Sequence, residues 1–336
     1  MEFDDPAFSI PTGAPAPLDP DMQEFLRRMR EGYGRYPRCD TLTIPEAREI
    51  AEAVRAPWAK GGPTMAESIE HYVPTRHGKV RIRVHYPKAR ASRGALLYVH
   101  GGGFVLFSID THDRLMREYA ERAGIAVVGI DYTRAPDARF PRPLDECVDV
   151  LQWIAANAPS LDIDAEQLFI GGDSAGAALS MGTALTLKQA NLRHLKGVVL
   201  NYGSFSSNLY RDSMVRYGAG DYGLSLHDMI WFRGLYLARG RDFNDPRVDI
   251  VRADLSGLPP VCMVVAQCDP LHDESIELER RLRAVGVDVW SRTYPGTVHS
   301  FLEAVAISAT AAQALDDTAS WLRMHASCDQ TTRSLT

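Results

Sequence analysis

Leu168-Phe169-Ile170-Gly171-Gly172-Asp173-Ser174-Ala175-Gly176 runs from an apolar stretch into a serine bracketed by glycines, and a run rich in small residues follows from Ala177 to Leu187. The order reads as a strand, a turn too tight for ordinary residues, then a helix, with Ser174 at the apex. Glycines two positions before and two after the serine let the backbone bend sharply and keep neighbouring side chains clear. The hydroxyl then stands at a helix N-terminus, where the dipole favours developing negative charge. A glycine-serine-glycine motif of this kind is weak by itself; its weight comes from what surrounds it.

A serine hydroxyl is a poor nucleophile until a base takes its proton, and that base must itself be oriented. Downstream, the apolar run Val261 to Ala266 ends at Gln267-Cys268-Asp269-Pro270-Leu271, and Val287-Asp288-Val289-Trp290 leads to Tyr294-Pro295-Gly296-Thr297-Val298-His299-Ser300-Phe301. Asp269 and His299 thus both follow an expected strand, on the sheet edge where Ser174 emerges. Nε2 of His299 is the candidate proton acceptor and Asp269 the group that holds Nδ1–H. The plainer alternatives are a turn former before Pro270 and a surface loop histidine. Asp273 and Glu274 are competing acids that instead suit a helix start, and His272 reads as structural. Asp173 reads as a brace for the turn.

Acyl transfer also needs donors for a tetrahedral oxyanion. Tyr98-Val99-His100-Gly101-Gly102-Gly103-Phe104 is a strand end followed by three glycines. The backbone N–H groups of Gly102 and Gly103 are candidate donors, with Gly101 setting the turn and the N–H of Ala175 as the third. His100 reads as a loop brace.

Around these motifs the chain alternates. Val80 to Tyr86 alternates strictly, as a half-buried strand does, and Gly94 to Val99, Ala126 to Ile130, Gly197 to Leu200 and Val261 to Ala266 are apolar runs. Helical stretches lie near 111–123, 144–157, 176–190 and 273–285. The expected fold is α/β, a mostly parallel central sheet with helices on both faces. In such sheets ligands collect outside the carboxyl ends of the strands, where these motifs fall.

Residues 1–18 are Pro-rich and read as an extended arm. A helix begins near Pro20, with Met22, Phe25, Leu26 and Met29 at helical spacing. A second carries a capping box, Thr43 with Glu46, and runs to about Arg55. Almost sixty residues separate the strand ending near Asn201 from the one starting near Pro260. So long a segment reads as an inserted helical cap over the strand ends. Its aromatics include Tyr210, Tyr217, Tyr222, Trp231, Phe232 and Tyr236. The organisation is 1–68, an arm and helices contributing to the cap; 69–202, the first part of the core; 203–258, the inserted cap; 259–325, the second part of the core; and 326–336, a tail. Phe104, Phe205, Tyr210 and Trp231 are candidate substrate-pocket residues.

The formal net charge of −6 and the absence of a basic run argue against nucleic-acid binding. The acidic start, Met1 to Asp5, predicts no secretory signal, and no stretch approaches the roughly 18 uninterrupted apolar residues of a membrane span. Five cysteines (Cys39, Cys147, Cys262, Cys268, Cys328) make no paired ligand motif. They read as reduced thiols of a cytoplasmic protein, with no metal site.

Taken together, the residues resemble the hormone-sensitive-lipase-like family of α/β-hydrolases, which includes the bacterial family IV carboxylesterases. The matching motifs are His100 to Gly103; Asp131-Tyr132-Thr133-Arg134-Ala135-Pro136 with Phe140-Pro141; Gly172 to Gly176; Asp269-Pro270-Leu271; and His299. They stand in the family's order and cover roughly residues 70 to 325. The resemblance implies hydrolysis of carboxylic esters, usually of short to medium acyl chain, by a serine hydrolase without a cofactor. It implies that the N-terminal helices join the insertion in the cap, and it is compatible with a homodimer. Asn201-Tyr202-Gly203-Ser204 departs from the Tyr-Pro turn often found there, Ser300 from the usual glycine and Ala177 from a frequent one. These departures bear on pocket shape.

The expected partner is a small-molecule ester, including small lactones and aryl esters, turned over through an acyl-enzyme. An amidase or N-deacetylase would use the same machinery. A non-catalytic small-molecule receptor on the same scaffold would be expected to lack one of Ser174, Asp269 and His299, and all three are present.

Overall fold

The computed structural model describes residues 16–192 and 195–327; the arm before residue 16, Cys328 and the tail after it lie outside the described residues. The first helix, α1 (Pro20–Tyr33), opens with the Asp19 carboxylate accepting the Asp21 N–H at 2.7 Å and buries Met22, Phe25, Leu26 and Met29 along one face. In α2 (Ile44–Ala59) Glu46 Oε2 accepts from the N–H of Thr43 at 3.0 Å and from its hydroxyl at 2.6 Å. This helix runs a turn beyond Arg55, through Pro57, because Trp58 is buried edge-on to Phe25, ring centroids 4.9 Å apart. Truncating such an aromatic removes both burial and packing, so Trp58→Ala is expected to lower unfolding free energy by about 3–5 kcal/mol, read from denaturant midpoints.

The sheet is built from β1 (Glu67–Thr75), β2 (Gly78–Tyr86), β3 (Ala95–Val99), β4 (Ala126–Asp131), β5 (Leu168–Asp173), β6 (Leu195–Asn201), β7 (Val261–Cys268) and β8 (Val289–Val298). Their spatial order is β1-β2-β4-β3-β5-β6-β7-β8; β1 and β2 are antiparallel additions and the rest run parallel. Side chains alternate between two cores. Leu97, Val99, Ile170, Val198 and Leu200 face one, while Leu96, Tyr98, Phe169 and Val199 face the other. Both faces are therefore covered, which is why these strands read as unbroken apolar runs. Helices α3 (Asp113–Ala123), α4 (Arg142–Ala156), α5 (Ala175–Gln189), α8 (His272–Ala284) and α9 (Ala309–Ser327) supply the covering layers.

Two differences from the sequence reading have simple causes. β1 has Val73 as its single fully buried residue, so it lacks the apolar signature of a strand. β8 runs from Val289 to Val298, through Pro295 and Gly296, well beyond the apolar segment Val287 to Trp290 that marks it in the sequence. β8 is an edge strand, so a proline there need not remove a ladder hydrogen bond.

Between β6 and β7 the chain forms α6 (Asp212–Tyr217), α7 (Leu226–Tyr236) and two short 3-10 turns. His227 of α7 meets Asp40 at 2.6 Å, joining this segment to the turn before α2. Among the described residues no helix is long and apolar enough to cross a membrane.

Candidate active site

Register in the parallel sheet decides which residues meet. Val99 pairs with Gly172 and Asp173 with Asn201, so the ends of β3, β5 and β6 stand level. Cys268 pairs with Val298, so the residues that follow, Asp269 and His299, leave the sheet side by side.

Ser174 caps the junction of β5 and α5 with φ 53° and ψ −119°, a conformation that L side chains adopt at a cost of order 1–3 kcal/mol. Its N–H donates to Asn201 O at 2.9 Å, and its own carbonyl accepts from Ser204 N–H at 3.4 Å. Close approach to β3 explains the flanking glycines. A Cβ on Gly172 or Gly176 would stand 2.1 or 1.9 Å from Val99 O.

His299 Nε2 lies 2.9 Å from Ser174 Oγ, and Nδ1 lies 2.8 Å from Asp269 Oδ2. Asp269 can only accept there, so Nδ1 carries the proton and Nε2 presents its lone pair to the hydroxyl. The other carboxylate oxygen of Asp269 accepts the Leu271 N–H at 2.8 Å, which fixes the carboxylate plane. Asp269 is 1% exposed, whereas Ser174 and His299 are each 8% exposed. The acid is thus sealed while the hydroxyl and imidazole keep an outward face.

The glycine turn lies beside this serine. Gly102 has φ +102°, and its carbonyl accepts from Val105 and Leu106 N–H at 3.1 and 2.9 Å. The N–H groups of Gly102 and Gly103 meet no acceptor among the described residues. That of Ala175 opens α5, where helix N–H groups have no partner within the helix. Phe232 of α7 covers the turn so tightly that a Cβ on Gly103 would fall 2.3 Å from its ring.

His100 braces this turn. Its Nδ1–H donates to Gly101 O at 2.8 Å, its ring stacks on Tyr132 at 4.3 Å, and Tyr132 Oη donates to its carbonyl at 3.1 Å. Burial pushes its pKa down to about 3, so it stays neutral. Asp173 accepts from Tyr98 Oη at 2.8 Å and from Gly101 N–H at 3.1 Å. Of the competing acids, Asp273 accepts from Ser213 N–H and Glu274 from Phe205 and Ser206 N–H, both in loop bracing. Burial raises the Glu274 pKa to about 7. His272 donates to Ala266 O at 3.1 Å.

The aromatic pocket residues separate. Phe104 stacks on Tyr236 at 3.9 Å, and both line a cavity of about 20 Å³ together with Leu179, Ser204 and Arg233. Trp231 is half-buried with its ring 5.2 Å from that of Phe232, and it does not line this cavity. Phe205 is completely buried in the core and Tyr210 is 80% exposed, so neither lines it. Residue type alone does not distinguish core, wall and rim. Tyr236 and Arg233 line the cavity without standing among the pocket candidates: Tyr236 shows in the sequence only as one of the insertion's aromatics, and no sequence signal marks Arg233. Among the described residues no cluster of histidine, cysteine and acidic side chains could hold a metal ion.

Residues 96–303 match a protein family described as having the alpha/beta hydrolase fold. The chain is similar over 92% of its length to a hyperthermophilic esterase from the archaeon Pyrobaculum calidifontis, at 30% identity and TM-score 0.86, with 99% of that chain covered. An ester hydrolase from the metagenome of Lake Arreo, solved with a bipyridine phosphonate derivative, shows 31% identity and TM-score 0.87 over 92% of this chain and 99% of that one. A thermostable carboxylesterase, EstE1, cloned from a metagenomic library, shows 31% identity and TM-score 0.82, covering 85% of this chain and 98% of that one.

Proposed function

Since the chain belongs to the hormone-sensitive-lipase-like family of α/β-hydrolases, we propose that it is a serine carboxylesterase acting on esters of short to medium acyl chain through an acyl-enzyme. The observation that carries this reading is the continuous path from Ser174 Oγ to His299 Nε2 at 2.9 Å and from His299 Nδ1 to Asp269 Oδ2 at 2.8 Å.

In the first half-reaction Ser174 Oγ attacks the ester carbonyl as its proton passes to His299 Nε2. Asp269, buried against Nδ1–H, stabilises the imidazolium and keeps the ring oriented. Charge on the carbonyl oxygen is met by the N–H groups of Gly102, Gly103 and Ala175, and each such donor contributes roughly 10²–10³ in rate. The imidazolium then protonates the leaving alcohol. In the second half-reaction His299 takes a proton from a water whose oxygen attacks the acyl carbon, and the imidazolium returns that proton to Ser174 Oγ as the acyl–oxygen bond breaks and the acid leaves. No cofactor enters this sequence.

The acyl-chain range follows the family resemblance, and in this reading Phe104, stacked on Tyr236 directly after the glycine turn, is placed at the wall that limits the acyl chain. Phe104→Ala opens that wall. The expected result is a shift of preference by two or more carbons in a p-nitrophenyl ester series, with kcat/KM for the longer esters rising roughly tenfold relative to the acetate, within the range one to a few methylenes supply. An unchanged profile would place the acyl pocket elsewhere. Residues 203–258 and the N-terminal helices act as the cap in this reading, supported by the His227–Asp40 contact and by Phe232 over the glycine turn.

The reaction class is tested by comparing p-nitrophenyl esters with the matching anilides and by labelling with an organophosphonate. Ester turnover with covalent modification at Ser174 is expected. Faster anilide than ester cleavage would reassign the chain as an amidase, and absence of both labelling and turnover would overturn the proposal.

A further inference from the structure

Behind the nucleophile lies a buried polar group that the reaction above does not use. Asp173, 1% exposed, directly precedes Ser174. One carboxylate oxygen accepts from Gly101 N–H at 3.1 Å and from Tyr98 Oη at 2.8 Å. The other faces His112 Nε2 at 3.3 Å. A single side chain therefore spans from the backbone that carries the nucleophile to the backbone that carries the glycine turn, and a Cβ on Gly101 would stand 2.4 Å from its second oxygen.

His112 is 1% exposed and has acceptors on both ring nitrogens. Nε2 faces the Asp173 carboxylate, and Nδ1 lies 2.9 Å from Thr111 Oγ1 and 3.3 Å from Ser108 O. The Thr111 hydroxyl already donates to Ser108 O at 2.8 Å, so it offers Nδ1 a lone pair. An imidazole donates from both nitrogens only when it is protonated. The adjacent charges Arg55 and Glu303 pair with one another at 2.8 Å, which leaves Asp173 and His112 to balance each other. Burial opposes charge on both, but each holds the other ionised, with His112 above and Asp173 below its ordinary pKa.

We propose that Asp173 and His112 are positioning residues, a buried ion pair that sets the distance between the oxyanion donors of the glycine turn and Ser174. The inference rests on the proposed serine-esterase reading. Its physical content is that Gly101 is held by Asp173 while Gly102 and Gly103 follow it directly, so loosening the carboxylate displaces the donors and leaves Ser174, His299 and Asp269 joined. An offset of about 1 Å at such a site costs on the order of 10²-fold in rate.

The test compares Asp173→Asn, Asp173→Ala and His112→Gln with the native enzyme on p-nitrophenyl butyrate, measuring kcat and KM separately, together with the affinity of an alkyl trifluoromethyl ketone that forms the oxyanion reversibly. Melting temperatures are taken in parallel, and rates are measured well below them. Asp173→Ala is expected to lower kcat on the order of 10²-fold with KM within about threefold, and to weaken ketone binding in proportion. Asp173→Asn keeps an oxygen for Gly101 N–H but removes the charge that faces His112, so it is expected to fall between native and Asp173→Ala, with kcat about tenfold below native. His112→Gln leaves the carboxylate without its counter-charge and is expected to cost at least about tenfold in kcat. If Asp173→Ala does not fold, Asp173→Asn and His112→Gln carry the comparison. Variants that melt earlier yet keep kcat and ketone affinity within about threefold of native would overturn the inference, because the pair would then serve stability alone. A native chain inactive on the whole ester panel would instead overturn the proposed function.

Discussion

Replacing Ser174 by alanine is expected to abolish ester turnover, lowering kcat by at least about 10⁴-fold, while the protein melts close to the native temperature. The side chain is small and, among the described residues, its hydroxyl has one hydrogen-bonding partner, His299 Nε2 at 2.9 Å. The bonds that hold the turn together, Ser174 N–H to Asn201 O and Ser204 N–H to Ser174 O, are made by the backbone and survive the change. The fold therefore loses little and the chemistry loses its nucleophile. A slowly cleaved p-nitrophenyl ester should still bind, read by competition against a fluorescent ligand of the same site. Residues that act as a unit do not contribute additively, so a Ser174→Ala, His299→Ala double variant should be no slower than either single one. Turnover of the alanine variant near the native rate would refute the assignment of Ser174.

Replacing Asp269 by asparagine should cost nearly as much with less change in shape. Asp269 Oδ1 accepts the Leu271 N–H, and an asparagine oxygen can keep that bond. The amide nitrogen would then face His299 Nδ1, 2.8 Å away in the native site. Because that nitrogen donates, it favours the tautomer with Nδ1 unprotonated and the proton on Nε2, which can no longer receive one from Ser174. A change of this kind in another serine hydrolase costs about 10⁴ in kcat, and a loss of that order is expected here. The distinguishing measurement is the rate of phosphonylation of Ser174, which should fall with kcat while the melting temperature stays within a few degrees of native. A variant with near-native kcat would show that another group orients His299.

Most of the fold was readable because the sheet is parallel and covered on both faces. Each central strand then carries an unbroken apolar run, as Leu96 to Val99 and Phe169 to Ile170 do. β1 has no such run, being an edge strand with one buried residue, and the last part of β8 carries Pro295 and Gly296, which break the apolar pattern. The site divides along the same line. Ser174, Asp269, His299 and the glycine turn sit directly after strands, where sequence order maps onto position. Tyr210 and Phe205 are pocket candidates by residue type alone, and type does not say whether an aromatic ring lies at the surface or in the core; the fold places one at each extreme.

By itself the sequence determined the strand order in time, the glycine-bracketed serine and the acid and imidazole that follow later strands, because these depend on local backbone geometry and on hydropathy. Tertiary structure alone decided that Cys268 pairs with Val298, which sets Asp269 beside His299, and that Asp173 reaches Gly101 and His112 across the sheet top. Register and side-chain reach between strands distant in sequence follow from how whole layers pack, and no local pattern encodes them.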